Sequence, residues 1–262
     1  MSGHDPAALT ALLSQAGFVA ADDEAAELLA HAGGDVDLLA TSVDRRLTGE
    51  PLAWIIGSAE FCGLTIRVDP GVYVPRWQSE PLALRAVARL PADGTAIDLC
   101  TGSGAIAKTL AAHRPAARVL ASDLDERAVA CAISNGVQAF HGDLFSPLPN
   151  GLAGAVDVVV AVVPYVPTGA LGLLPRDTLD FESSLSYDGG LEGTDLLRRV
   201  VVESRRFLRG GGTLLLELGG EQESTVRAEL ADAGYSDLDV WADEDGDVRG
   251  IEATWPQGPG HR

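Results

Sequence analysis

The stretch AIDLCTGSGAIAK, residues 96–108, decides the fold. It reads as a short apolar strand that ends at Asp98-Leu99, a turn through Gly102-Ser103-Gly104, and a helix beyond. Glycines there permit a tight turn and close approach of backbone to a ligand, and the helix N-terminus offers free N–H groups. The turn alone is a weak signal. Through Ala107 it also satisfies G-x-G-x-x-A, so a dinucleotide fold stays open at this point.

Working outward, the pattern from about residue 95 alternates strand and helix. ARVLASD, VQAFHGD, AVDVVVAVV and TLLLEL read as strands, and DERAVACAISN, TDLLRRVVVESRRFLR and EQESTVRAELADAG as helices. The second of these helices is expected to stop at Gly210-Gly211-Gly212. SDLDVWAD and DVRGIEATW read as a terminal hairpin. Alternation of this kind predicts an α/β fold with a mainly parallel sheet covered on both faces, and an antiparallel edge from the hairpin.

Before residue 57, Leu9, Leu12, Leu13, Leu28, Leu29, Leu38 and Leu39 recur at helical spacing, interrupted by Gly17 and Gly33-Gly34. This predicts a small bundle of two or three helices, with Asp22 or Asp23 capping the second and Asp35 the third. GSAEFCGLTIRVDPGVYVP reads as a β-hairpin. The expected organisation is a helical cap over 1–56, a connecting hairpin over 57–75 and the main domain over 76–262.

Composition limits the function. The 262 residues are 46% hydrophobic, enough for a core without disulfide staples. Three scattered cysteines fit a reducing compartment, and the five histidines form no metal-binding pattern. No 18-residue apolar run and no basic-then-apolar leader occur, so the expectation is a cytoplasmic protein that neither spans nor binds a membrane. A net charge of −19 with dispersed basic residues disfavours a nucleic-acid partner. G-x-S-x-G and G-x-x-x-x-G-K are both missing, which weakens hydrolase and P-loop readings.

Asp123 closes the strand after the glycine turn, twenty-one residues beyond Gly102, and can accept both hydroxyls of a ribose. The next strand ends in Gly142-Asp143-Leu144-Phe145, where a carboxylate and an aromatic ring suit an adenine. Either aspartate could be an ordinary turn residue, but together they point to a nucleoside ligand at the strand ends. Asp98 would repel a pyrophosphate and attract a cation. That favours S-adenosylmethionine, which carries a sulfonium, an ammonium and no phosphate, over NAD.

Several further pieces then fall in order. They are GEPLAWIIG (49–57), Phe61-Cys62-Gly63-Leu64, Pro75-Arg76 with Glu80, DLCTGSGAIA, GDLF, Pro164-Tyr165-Val166-Pro167, Asp188-Gly189-Gly190 with Gly193, and FLRGGGTLLLELG. In these the chain resembles the HemK/PrmC family of class I methyltransferases, which methylate a glutamine side-chain amide of translation release factors. The resemblance runs from about residue 47 to 255. It implies a Rossmann-like sheet with a helical cap. It implies S-adenosylmethionine held by Asp98, Cys100, Thr101, Gly102, Ser103 and Gly104, by Asp123 and Leu124, and by Gly142, Asp143 and Leu144. Its implied partner is a release-factor-like protein.

One motif departs from the family. The fourth strand there ends in Asn-Pro-Pro-Tyr; here it ends in Val162-Val163-Pro164-Tyr165. An amide nitrogen is a poor nucleophile because its lone pair is delocalised. The asparagine C=O, with the next backbone C=O, accepts both amide N–H bonds and stabilises the developing positive charge. Val162 cannot accept. Pro164 and Tyr165 remain as walls of the acceptor site. The expected reaction is methyl transfer to nitrogen. The alternatives are a small-molecule amine, hydroxyl or thiol acceptor, or a protein that binds S-adenosylmethionine without turnover.

Other side chains have two readings. Arg76 and Glu80 could border the acceptor groove or pair with each other. Trp77 reads as a packed wall. Cys100 is either an acidified thiol at a helix N-terminus or a small residue in a tight loop. Asp180 to Gly190 could flank the cofactor or be a solvated loop.

Overall fold

The computed structural model describes residues 5–173, 180–219 and 222–257. Four helices come first: α1 (Pro6–Gln15), α2 (Ala21–Ala32), α3 (Val36–Leu47) and α4 (Leu52–Ile56). Leu9, Leu13, Leu28, Leu39 and Ile55 pack into a core of their own. Asp35 caps α3, accepting from the N–H groups of Asp37 and Leu38 at 3.0 Å. Asp22 and Asp23 do not cap α2, whose N-cap is Ala20. They sit in its first turn, where negative charge still favours the helix dipole. Arg46 is buried and held by Glu24 through two bonds of 2.6 and 2.9 Å, with Phe18 under its guanidinium.

A hairpin follows, β1 (Ser58–Phe61) with β2 (Leu64–Arg67). Cys62 and Gly63 both have positive φ, as a two-residue turn between twisted strands demands.

The rest is one sheet with its helices: α5 (Glu80–Arg89), β3 (Thr95–Leu99), α6 (Ala105–His113), β4 (Arg118–Asp123), α7 (Glu126–Ser134), β5 (Gln138–His141), β6 (Val156–Ala161), α8 (Asp195–Ser204), β7 (Leu208–Glu217), α9 (Glu223–Asp232), β8 (Ser236–Ala242) and β9 (Val248–Thr254). The order is β5-β4-β3-β6-β7-β9-β8, with β5 to β7 parallel and β9 antiparallel to both its neighbours. This is the Rossmann-like α/β sheet with an antiparallel edge.

β6 is buried along both faces. Val159 and Ala161 enter one core while Val158 and Val160 enter the other, the two-residue alternation of a central strand. Winding runs outward from the centre in both directions, β3 to β5 one way and β6 to β7 the other. The crevice for a ligand therefore opens where Leu99 pairs with Ser122 on one side and Ala161 on the other.

The triple glycine does not end a helix. α8 stops at Ser204, and Gly210 to Gly212 lie within β7. The register explains why: Leu208 pairs with Val156 but Thr213 with Val158, so the strand bulges. Gly211 has φ +83°, and a Cβ on Gly212 would press on the Val156 carbonyl oxygen at 2.9 Å.

Candidate active site

A cavity of about 360 Å³ lies at the carboxyl ends of β3, β4 and β6, covered by residues 71–79 and 185–188. Every residue read from sequence as a site residue lines it: Asp98, Cys100 to Ser103, Asp123, Leu124, Gly142 to Leu144, Val162, Pro164 and Tyr165. The exceptions are Phe145, the aromatic expected beside an adenine, which is buried in the core and stacked on Phe207 with 4.4 Å between ring centres, and Gly104, which packs behind the cavity. A Cβ there would sit 3.0 Å from the side chains of Ala132 and Val137, and φ is +82°. This glycine lets α6 approach α7 closely.

The glycine turn is held from three sides. The Thr101 N–H donates to the Ser122 carbonyl at 3.1 Å, the Gly102 N–H to Asp123 Oδ2 at 2.8 Å, and Asn135 Nδ2 to the Ser103 carbonyl at 2.9 Å. Asn135 also bonds both backbone groups of Arg67, so one side chain ties the hairpin to the turn.

Asp98 is buried beneath the turn. Its Oδ2 accepts from Thr101 Oγ1 at 2.6 Å and from the Ala107 N–H at 3.1 Å. Burial, with the nearby charge of Asp123, pushes its carboxyl up to about 7. Asp123 accepts from backbone on both oxygens, the Gly102 N–H on Oδ2 and the Asp125 N–H on Oδ1 at 2.9 Å, and lines the cavity. Burial raises its carboxyl as well. Asp143 lines the cavity with its side chain half-exposed, and it carries a partner that the sequence did not indicate. It is gripped by both Nη atoms of Arg199 on α8 at 3.1 and 2.8 Å. Arg199 is fifty-six residues away in the chain, and no local pattern links the two.

Cys100 has φ +54° in the tight turn, and burial with three aspartates pushes its thiol up. It is a thiol, not an activated thiolate.

The acceptor end is built around the strand end. Val162 is half-buried and packs on the core with its methyl groups. Burial raises the Tyr165 hydroxyl. Its carbonyl accepts from Gln222 Nε2 at 2.8 Å, and the same nitrogen reaches the Gly193 carbonyl at 2.9 Å. Val166 pairs with the 187–189 segment, its N–H on the Tyr187 carbonyl and its carbonyl receiving the Gly189 N–H. This brings Tyr187 into the cavity wall.

Arg76 does not pair with Glu80. Its Nη2 donates to Glu182 Oε2 at 2.7 Å and to the Tyr187 hydroxyl at 3.2 Å. Glu80 instead accepts the Cys62 N–H at 2.9 Å, closing the hairpin turn onto α5. Glu182 is buried and anchors the 180–190 segment, while Asp180, Ser184 and Leu185 in it are exposed. Glu182 also takes the Val74 N–H at 3.0 Å and is bonded by the Tyr187 hydroxyl. Trp77 is 69% exposed and forms no packed wall. Ser79 Oγ, also on the wall, donates to the buried Glu217 at 2.5 Å.

Among the described residues the lining carries five aspartates (98, 123, 125, 143 and 188) and one cation, Arg76. Such a set repels a pyrophosphate and suits a sulfonium with an ammonium, so the residues fit S-adenosylmethionine and not a dinucleotide.

Sheet order and site together define an S-adenosylmethionine-dependent methyltransferase. A methyltransferase from Pyrococcus furiosus superposes with a TM-score of 0.55 at 19% identity, covering 74% of this chain and 89% of that one. The chain is 36% identical to the release factor glutamine methyltransferase of Mycolicibacterium smegmatis, covering 94% of this chain and 95% of the relative. It is 40% identical to the 4-amino-L-phenylalanine/4-methylamino-L-phenylalanine methyltransferase of Streptomyces pristinaespiralis, covering 71% and 67%. No family profile matches the chain. The chain belongs to the release factor glutamine methyltransferase family.

Proposed function

We propose that this enzyme methylates the nitrogen of a small-molecule amine in place of a glutamine amide. The observation that carries this is Val162, a side chain with no acceptor where the family's motif has asparagine. An amine has its lone pair available and does not need two N–H groups held to expose it. The Streptomyces pristinaespiralis relative, whose named acceptor is an aromatic amine, supports the reading. A release-factor-like protein acceptor is the second reading. It is favoured by an alignment with the Mycolicibacterium smegmatis relative that runs through the helical cap.

In this reading S-adenosylmethionine supplies an electrophilic methyl group on a sulfonium. Asp98, with Cys100, Thr101, Gly102 and Ser103, holds its methionine end, and Gly104 shapes the turn from behind. Asp123 and Leu124 hold the ribose, and Gly142, Asp143 and Leu144 the adenine. Arg199 fixes the Asp143 carboxylate from behind. Pro164, Tyr165 and Val162 wall the acceptor and keep water from the reacting nitrogen. The same reading divides the chain at 56 and 75 into cap, hairpin and transferase, supported by the separate core of the cap. It sets the enzyme in the cytoplasm, in keeping with three free cysteines, and without a nucleic-acid partner. Among the described residues no helix is long and apolar enough to cross a membrane.

The test offers methyl-labelled S-adenosylmethionine with 4-amino-L-phenylalanine in one reaction and a release factor in another. Label in the amine is expected. Label in the release factor alone would overturn the proposal.

A further inference from the structure

The cluster around Arg76 is not explained by binding the cofactor. Glu182 is already satisfied without a full ion-pair fork: its Oε1 takes the Val74 N–H, and its Oε2 takes the Tyr187 hydroxyl. Arg76 adds only Nη2 to that oxygen. An arginine that serves as a lock on a carboxylate presents two parallel N–H groups. Here a single nitrogen meets the carboxylate, the Tyr187 and Tyr73 hydroxyls take the guanidinium's other protein bonds, and among the described residues no second carboxylate pairs with it. The pair is also asymmetric in place. Arg76 lines the cavity and its side chain is 40% exposed, whereas the Glu182 side chain is 1% exposed and lies behind the wall. Glu182 therefore fixes the arginine from the rear through Nη2 alone and leaves the rest of the guanidinium without a carboxylate among the described residues.

The surroundings narrow what could meet those donors. Tyr73 and Tyr187 stand edge to face, 5.7 Å between ring centres, and the Arg76 guanidinium lies 5.1 Å from the Tyr73 ring. This wall suits a flat apolar body. The aspartates near the glycine turn favour positive charge at their own end of the cavity. A cation without an accompanying carboxylate would be repelled beside Arg76, and a carboxylate would be drawn in.

We infer that Arg76 is a specificity-determining residue that binds a carboxylate of the acceptor, so that the substrate class is an aromatic amino compound bearing an acid. This rests on the amine reading above and deepens it. Buried behind the arginine, Glu182 is a positioning residue that presets the guanidinium and pays its ordering cost in advance of binding.

The test compares 3-(4-aminophenyl)propanoate with its uncharged primary amide, a pair alike in shape. Binding is measured by calorimetry on protein saturated with S-adenosylhomocysteine, so no turnover is involved. The acid is expected to bind about tenfold to a hundredfold more tightly than the amide, the span of one charge-assisted fork. In the double variant Arg76→Gln/Glu182→Gln, which leaves no buried charge unpaired, that preference is expected to vanish while affinity for S-adenosylhomocysteine is kept. In Arg76→Lys, which keeps the charge and loses the fork, part of the preference is expected to survive. Equal binding of acid and amide to the wild-type protein, binding of neither, or a preference that persists in the double variant would each overturn the inference. Should the acid bind in an Arg76-dependent way yet accept no methyl group, the amine reading fails and the carboxylate site stands.

Discussion

Replacing Val162 with asparagine is the sharpest perturbation of the acceptor site. The side chain is half-buried on the cavity wall at the end of β6, and asparagine is close to it in size. The new amide would stand where the family's motif places its acceptor. A directed partner to developing charge is worth about 3–4 kcal/mol, or about a hundredfold to a thousandfold in rate. The substitution also takes methyl groups from the core and sets a polar amide against it, costing about 1–3 kcal/mol of stability. The melting midpoint should fall by several degrees and the fold should survive. The assay is single-turnover transfer of label from S-adenosylmethionine, once to a release factor and once to 4-amino-L-phenylalanine. The release factor rate should rise by about two orders of magnitude, with the amine rate little changed. A variant that folds, binds S-adenosylhomocysteine like the parent and gains nothing on the amide would refute the role given to this position.

Asp98, at about 7, lies above its ordinary carboxyl value of 3.8, so the folded protein holds this proton more tightly than the unfolded chain. Stability of the ligand-free protein should fall as pH rises from about 4 to about 7, and Asp98→Asn should remove that slope in denaturant titrations. Binding of a cation needs the charged form, so affinity for S-adenosylmethionine should climb by up to about tenfold per unit below pH 7, with proton release seen by calorimetry in two buffers. Gly193→Ala would drive a Cβ into the Tyr165 carbonyl at φ +73°, so methyl transfer should drop at least about tenfold while cofactor binding holds. Loss of both together would point to global damage. Gly104→Ala, which presses α6 off α7, should cost about 1–3 kcal/mol of stability, read from the denaturation midpoint.

The sheet was legible because its signals are local. Continuous valines marked β6, and turn glycines with aspartates marked the ends of β3 to β5. The glycines of β7 misled because a bulge and a helix stop use the same residue, and only pairing with Val156 tells them apart. Cap identity on α2 failed for a related reason: any of three neighbouring positions could start the helix, and packing of Ala21 chose one. At the cavity, residues that follow a strand end were readable from the strand itself. The partners that fix them were not. Glu182 reaches Arg76 across 106 residues, Glu217 reaches Ser79 across 138, and Arg199 reaches Asp143 across 56. Such contacts arise only when the sheet is assembled. The altered motif at Val162 was visible because a side chain without an acceptor needs no tertiary context to be recognised.

Gln222 joins three pieces of the acceptor half: the Tyr165 carbonyl, the Gly193 carbonyl and the Gly219 N–H, which donates to its Oε1 at 3.0 Å. The glycine turn of the donor half is fastened separately, through Asn135, to the connecting hairpin. The two halves can therefore evolve at different speeds. A lineage can exchange one methyl recipient for another by rewriting the strand-end loop and its clasp, while the machinery that handles the reactive methyl donor is inherited intact.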